Sequence, residues 1–238
     1  MPKASLSRAE ISILCFYVLW MLIGFAVTLG QISASTVDSL PIFSFLKSFI
    51  LVCLRFGDPI SILLAAFNTH LMICRTWGLA SARKWAIIVL VVSAVAETVG
   101  TLTGWPFGSY YYTDNFGPRL AGVLPFAIPF SWLVLVTNVL FFVRNLNDFN
   151  PWQESLLVGV GVTSLDWIME PFAVNIKAYW HWESSSIPWQ NYLTWFLLSS
   201  LLVKCFAPPS NLHHRNDPRP YVILGAMVVL FIAGRMLY

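Results

Sequence analysis

Charged residues are scarce in this sequence. Asp, Glu, Lys and Arg make up only 11% of its 238 residues, whereas hydrophobic residues make up 58%. An average soluble domain carries roughly 25% charged residues, so we exclude that class and interpret the chain as an integral membrane protein. The net charge of +3 is small, and the basic residues lie mostly in short loops. This pattern predicts no nucleic-acid partner.

Recognised metal, disulfide and nucleotide motifs are also missing. The four cysteines stand apart without CxxC spacing, which argues against a disulfide framework or a thiolate metal site. His213 and His214 form no HxxH or HExxH pattern, and we interpret His70, inside a predicted span, as structural. Walker, GxGxxG and GxSxG motifs are absent. We therefore expect no metal and no cofactor.

Long apolar runs, by contrast, follow one another through the whole chain. About 20 apolar residues cross a ~30 Å hydrocarbon core. The run 40–57 is ambiguous because Lys47 interrupts it, and it fits a short span, a re-entrant segment or an interfacial helix. We predict an all-α, polytopic membrane helical bundle with seven or eight transmembrane helices, forming a single domain over residues 1–238. The other predicted spans are 11–30, interpreted as a retained helix rather than a signal peptide, 59–77, 85–102, 122–143, 155–176, 190–207 and 220–238.

Basic residues concentrate in the loops after 77 and after 207, which the positive-inside rule places in the cytoplasm. The loops 103–121 and 177–190 contain few basic residues and many aromatic ones, so we expect both to face outward. At 1.5 Å per helical residue, the acidic residues described next fall in the outer half of their spans. The sequence leaves open whether the membrane is a bacterial plasma membrane or an internal one.

Three carboxylates interrupt otherwise apolar spans: Glu97 in one, Asp166 and Glu170 in another. A charge at the centre of a transmembrane helix costs about 2.5–3.5 kcal/mol, and such residues usually face a partner or a polar cavity. Asp166 and Glu170 are four residues apart, so they share one helical face. Two neighbouring buried carboxylates resist ionising together. We expect at least one to hold a proton at neutral pH, and to be able to act as an acid.

Two aromatic segments follow these carboxylates. The first runs from Glu97 to Gly117, and the second from Asp166 to Trp195. Each aromatic residue taken singly fits an interfacial aromatic belt, but a belt needs neither the carboxylates nor the turn at residues 106–108. We predict a binding pocket at the outer face. Its candidate substrate-binding residues are Trp105, Phe107, Tyr110, Tyr111, Trp180, Trp182, Asn191 and Tyr192.

In these two segments the chain resembles the membrane carotenoid-biosynthesis family that includes carotenoid 1,2-hydratases and bisanhydrobacterioruberin hydratases. The resemblance covers roughly residues 90–200. The matching residues are Glu97, Gly100, Gly104, Pro106 to Gly108, Tyr110 to Tyr112, Pro125, Pro129, Trp132, Asp166, Glu170, Pro171, Trp180, Trp182, Asn191 and Tyr192. The connection after the Trp pair, SSSIPWQNYLTW, departs from the better-known hydratases, so no particular carotenoid is implied.

The resemblance implies hydration of the terminal C1–C2 double bond of a linear carotenoid, without a cofactor. Proton transfer to C2 would create a tertiary carbocation at C1, which water then attacks. Asp166 would be the general acid, Glu170 would share its proton or orient water, and Glu97 would stabilise the cation or accept the water proton. Trp105, Tyr111, Trp180 and Trp182 would present their π-faces to the cation. The choice among the three carboxylates stays open at this stage.

Other functions fit the same residues. An isomerase or cyclase would use the same acid but exclude water. A non-enzymatic carotenoid-binding protein would use the carboxylates as structural contacts, and a transporter would use them as a proton relay, although no internal repeat supports one. The expected partners are the carotenoid substrate, membrane lipid and other enzymes of carotenoid biosynthesis.

Overall fold

The computed structural model describes residues 6–209 and 217–236, and its architecture is all-α with short strands at one end. His213 and His214 lie outside the described residues. The helices are α1 (Arg8–Leu29), α2 (Ala34–Ser39), α3 (Ser44–Thr103), α4 (Ile128–Leu146), α5 (Pro151–Pro171), α6 (Trp189–Phe206) and α7 (Arg219–Arg235). The strands are β1 (Tyr110–Tyr112), β2 (Arg119–Leu120), β3 (Leu124–Pro125) and β4 (Trp180–Trp182).

The sequence suggested that the run 40–57 is a separate segment. In the structure, residues 44–57 of this run form the first turns of the longer helix α3. The helix continues through Pro59, where the carbonyl of Gly57 accepts hydrogen bonds from Trp20 Nε1 at 3.0 Å and Ser61 Oγ at 2.9 Å. From Ser44 to Gly78 this helix is roughly 50 Å long at 1.5 Å per residue. It is therefore longer than the ~30 Å hydrocarbon core of a bilayer.

The chain reverses direction at Gly78, whose φ of 77° interrupts α3. Before Gly78, Asn138 of α4 donates a hydrogen bond to Thr69, and Trp77 packs on Phe141. Later residues of α3 thus contact later residues of α4, so this part of α3 runs parallel to α4. After Gly78, Trp85 donates a hydrogen bond to Thr137, and Trp132 donates one to Glu97. Later residues of α3 thus contact earlier residues of α4, so this part of α3 runs antiparallel to α4. Glycine tolerates positive φ without a steric penalty. The predicted spans 59–77 and 85–102 are therefore two antiparallel arms of one interrupted helix.

Helix α4 begins at Ile128, six residues later than predicted. Residues 119–125 form a short hairpin instead, in which β2 pairs antiparallel with β3 and Gly122 at its tip has a φ of 74°. Pro125 lacks a backbone donor and would interrupt a helix at this place. Most of α4 is buried, so this helix lies at the centre of the bundle.

Among the described residues, four helices are long and apolar enough to cross a membrane: α1, α3, α4 and α5, the last extended by the turn to Ile176. Dividing α3 at Gly78 gives seven long helical segments in this part of the chain. The count of seven or eight spans stays a prediction.

Ion pairs lie at both ends of the bundle, including Arg119 with Asp114 and Lys177 with Asp58 beside the strands. At one end, Glu10 pairs with Arg75 at 3.3 Å and with the fully buried Arg219 at 3.2 Å. Arg144 pairs with Glu154 at the same end, with a closest distance of 2.7 Å. The strands lie at the other end, beyond the carboxylates of α3 and α5.

Helices α5 and α6 pack closely because Gly159 lets them. A Cβ atom at Gly159 would meet the Phe196 carbonyl at 2.9 Å and would overlap Ser200 Oγ. The glycine thus sets the spacing between α5, which carries Asp166 and Glu170, and α6, which carries their hydrogen-bond donor Asn191.

We predict that Gly159→Ala destabilises the protein by about 1–3 kcal/mol, because the added methyl group forces the α5 and α6 backbones apart. Gly225→Ala on α7 is the matched control, since nothing lies within 4 Å of its added Cβ and alanine favours a helix over glycine. Thermal unfolding in detergent, followed by circular dichroism, measures both. Equal melting temperatures for the two variants would contradict the assigned role of Gly159.

Candidate active site

Glu97 is buried near the end of α3 and is fully hydrogen-bonded. Its Oε2 accepts hydrogen bonds from the hydroxyls of Tyr110 at 2.7 Å and Tyr112 at 2.8 Å. Its Oε1 accepts one from Trp132 Nε1 at 2.8 Å. Burial and the nearby carboxylate raise the pKa of Tyr112 well above its usual range, so this hydroxyl stays protonated. Glu97 is thus held by three neutral donors that do not readily release their protons.

Two short strands supply the two tyrosine donors to Glu97 and the two tryptophan donors to Glu170. β1 and β4 pair antiparallel, with Tyr110 opposite Trp182 and Tyr112 opposite Trp180. Side chains alternate between the faces of a strand, so these four rings share one face. Tyr111 lies on the other face, where it is 54% exposed and packs on His181.

The chain turns sharply between α5 and β4. Pro171 ends α5, and a π-helical turn over Phe172–Ile176 follows. Proline cannot donate to the preceding turn of a helix, which favours an ending here. Because of this turn, Trp180 and Trp182 fold back over the helix that precedes them. Their indole Nε1 atoms donate to Glu170 Oε2 at 3.3 and 3.1 Å.

Asp166 and Glu170 share a single amide donor. Asn191 Nδ2, on α6, donates to Asp166 Oδ2 at 2.8 Å and to Glu170 Oε1 at 3.4 Å. Both acidic residues are 1% exposed. Asp166 Oδ1 has no hydrogen-bond partner among the described residues. Unpaired polar atoms are rare in protein interiors, and this one is available to donate a proton or to bind one.

A cavity of about 110 Å³ connects Glu97 with the pair formed by Asp166 and Glu170. Most of its wall is aromatic or aliphatic, and it extends from Asp166 to Tyr17 and Met21 on α1. The predicted site residues that line it are Glu97, Phe107, Tyr110, Asp166, Glu170, Trp180, Trp182 and Asn191.

Three predicted binding residues are not part of this wall. Trp105 is 72% exposed, Tyr111 faces away, and the partly buried Tyr192 is not among the lining residues. Trp105 and Tyr111 were expected to offer π-faces to a cation, but both are exposed and neither lines the cavity.

Several residues of the wall were not predicted as site residues from the sequence, among them Tyr112, Trp132 and Trp195. The two tryptophans lie inside predicted spans, where an indole N–H needs a buried acceptor. That requirement was the available signal. Tyr112 was detectable from the alternation in β1, since it has the same parity as Tyr110.

No group of three or more His, Cys, Asp or Glu residues that could hold a metal is present in residues 6–209 and 217–236. His70 Nε2 lies 3.3 Å from Cys74 Sγ, one helical turn away on α3. The three buried carboxylates accept hydrogen bonds from indole, phenol and amide donors.

Comparison with known proteins gives two matches. A family model described as carotenoid biosynthesis protein matches residues 57–237. The bisanhydrobacterioruberin hydratase of Haloarcula japonica is 36% identical over 116 residues, which are 46% of this chain and 39% of that protein. The chain therefore matches less than half the length of this relative. No solved structure shows significant similarity.

The family match includes the helices and strands that carry Glu97, Asp166 and Glu170, and it covers well over half of the sequence. Three of the four helices that are long and apolar enough to cross a membrane, α3, α4 and α5, lie wholly or partly in this region. This chain belongs to the carotenoid biosynthesis protein family.

Proposed function

We propose that this protein is a carotenoid hydratase that adds water across the terminal C1–C2 double bond of a linear end group. One observation carries the proposal: Asp166 Oδ1 is buried and unpartnered, in a residue of the wall of an apolar cavity. The hydratase name of the Haloarcula japonica relative supports the same reaction. Asp166 is the general acid.

The reaction needs no electron transfer. The π pair of the double bond takes the carboxyl proton of Asp166, forming a C–H bond at C2 and leaving a tertiary cation at C1. A water oxygen then donates a lone pair to C1, and the proton it loses returns to the Asp166 and Glu170 pair. The sum is the addition of one water, and the acid is regenerated. General acid catalysis of this kind contributes roughly 10²–10⁴-fold to a rate.

The hydrogen bonds divide the roles of the carboxylates. Glu170 receives two indole donors and part of the Asn191 amide, so it is held in place beside Asp166 to share its proton or orient water. Glu97 already accepts three hydrogen bonds. This arrangement favours Glu97 as a fixed negative charge that stabilises the cation over Glu97 as the acceptor of the water proton.

The apolar wall fits a substrate dissolved in the bilayer. Burying a hydrocarbon end group gains about 25 cal/mol for each Å² of apolar surface removed from water. We propose that the carotenoid enters from the lipid into a bundle of seven or eight spans, in a bacterial plasma or internal membrane. Other enzymes of carotenoid biosynthesis would supply the substrate and take the product.

We predict that Asp166→Asn lowers hydration at least 100-fold, because the amide lacks an acidic proton. The measurement is mass spectrometry of pigments from bacteria that accumulate lycopene or γ-carotene and express each variant. The wild type should form a product heavier by one water. Asp114→Asn is the control, because the Asp114 side chain is 91% exposed and outside the cavity.

Normal turnover by Asp166→Asn would remove Asp166 as the acid. A wild-type product of unchanged mass but altered spectrum would indicate isomerisation or cyclisation instead. Unchanged pigment that copurifies with wild type and variant alike would indicate a binding protein.

We also predict that Trp180→Ala raises KM on the order of tenfold and lowers product yield, because it removes buried contact area from the cavity wall. Trp189→Ala is the matched control, since Trp189 is 70% exposed at the same end of the bundle. Trp180→Phe retains a ring but not the donor to Glu170, and should fall between the two. Initial rates in membranes over a range of substrate concentrations measure the effect. Equal KM values for Trp180→Ala and Trp189→Ala would contradict it.

A further inference from the structure

The cavity wall contains two tryptophans stacked face to face. The rings of Trp132, on α4, and Trp195, on α6, lie with centroids 3.8 Å apart and planes only 4° from parallel. Trp132 is fully buried and Trp195 is 7% exposed. Aromatic pairs usually prefer offset or edge-to-face arrangements over a close parallel stack. Their geometry therefore calls for a reason beyond ordinary core packing.

The stacked pair lies between Glu97 on one side and the pair formed by Asp166 and Glu170 on the other. On one side, Trp132 donates its Nε1 hydrogen to Glu97 at 2.8 Å. On the other side, Trp195 follows Asn191 by four residues on α6, so both lie on one helical face. Asn191 is the donor shared by Asp166 and Glu170. The indole stack thus begins one helical turn from Asn191, the donor to the proposed acid, and ends on Glu97.

This arrangement favours positive charge beside Trp195. The face of an indole ring is electron-rich and attracts cations more strongly than the face of Phe or Tyr. A hydrogen bond from Nε1 to a carboxylate increases the electron density of the ring that donates it. The surrounding wall is mostly apolar, and such attraction strengthens where water is excluded.

We propose that Trp195, supported by Trp132 and Glu97, is the face on which the tertiary cation forms. This inference rests on the proposed hydration. Trp195 would contact the charged C1 atom and act as a catalytic residue, whereas Trp132 and Glu97 would be positioning residues. Trp180 and Trp182, in contrast, direct their N–H groups at Glu170 and hold the acid pair in place.

A purely structural stack would also join α4 to α6, so the test must separate charge from packing. Two probes of the same shape do this: a linear isoprenoid N,N-dimethylamine, whose protonated nitrogen replaces C1, and the uncharged hydrocarbon of equal length. Loss of packing weakens binding of both probes equally. Loss of a cation site weakens only the ammonium probe, so the ratio of the two Kd values is the readout.

We predict that the wild type binds the ammonium probe more tightly than the hydrocarbon, and that Trp195→Phe reduces this preference on the order of tenfold. Trp195→Tyr should retain more of it, and Trp132→Phe should lower it because the link to Glu97 is lost. Trp189→Phe is the matched control and should leave the ratio unchanged. Quenching of tryptophan fluorescence in detergent micelles measures binding, with hydration rates measured on the same preparations.

An ammonium preference that is absent from the wild type, or that is equal in Trp195→Phe and Trp189→Phe, would overturn the inference. If hydration nevertheless occurs, the proposed function stands without it. If the ammonium preference depends on Trp195 but no substrate gains water, the cation site stands. The reaction is then an isomerisation or a cyclisation, in which the cation loses a proton or closes a ring. Should Trp195→Phe fail to fold, Trp195→Tyr and Trp132→Phe carry the same comparison.

Discussion

The need to pair buried carboxylates governs the half of this molecule that carries the strands. A carboxylate removed from water without partners is costly, and three of them lie within a small apolar bundle. Each recruits donors from elsewhere in the chain: Glu97 from β1 and α4, Glu170 from β4 and α6, Asp166 from α6 alone. The strands, the cavity and the spacing of the helices all follow from bringing those donors to buried oxygens.

The pairing of β1 with β4 requires few residues. Three residues in each strand suffice, because alternation directs four rings toward the carboxylates and leaves Tyr111 and His181 on the opposite face. Since β1 follows α3 and β4 follows α5, the same ladder fixes the ends of both acidic helices. Close approach of α5 and α6 at Gly159 then brings the Asn191 amide within reach of both acids.

Hydropathy predicted most of the bundle. The predicted spans 190–207 and 220–238 differ from α6 and α7 by three residues or fewer at each end. The errors occurred where local signals compete with hydropathy: the run 40–57, which Lys47 interrupts, continues into α3, and the apolar run from 122 begins in a hairpin. For the site, the buried acids were visible as charges in apolar runs. The sequence did not assign Trp132 and Trp195 to the site, because their roles depend on contacts between distant segments.

Unequal pairing of the acids bears on how a carbocation could survive here. A carboxylate oxygen in direct contact with a tertiary cation would attack it and form an ester, so negative charge must act from a distance or through another group. Glu97 has both oxygens engaged by donors, which lowers the nucleophilicity of this carboxyl group. The Trp132 and Trp195 rings would instead present π electrons to the cation, as a face with no lone pair directed at carbon. In the proposed mechanism Asp166, once it has released its proton, would accept one from the attacking water, and the attack of water would then be favoured over the attack of the protein.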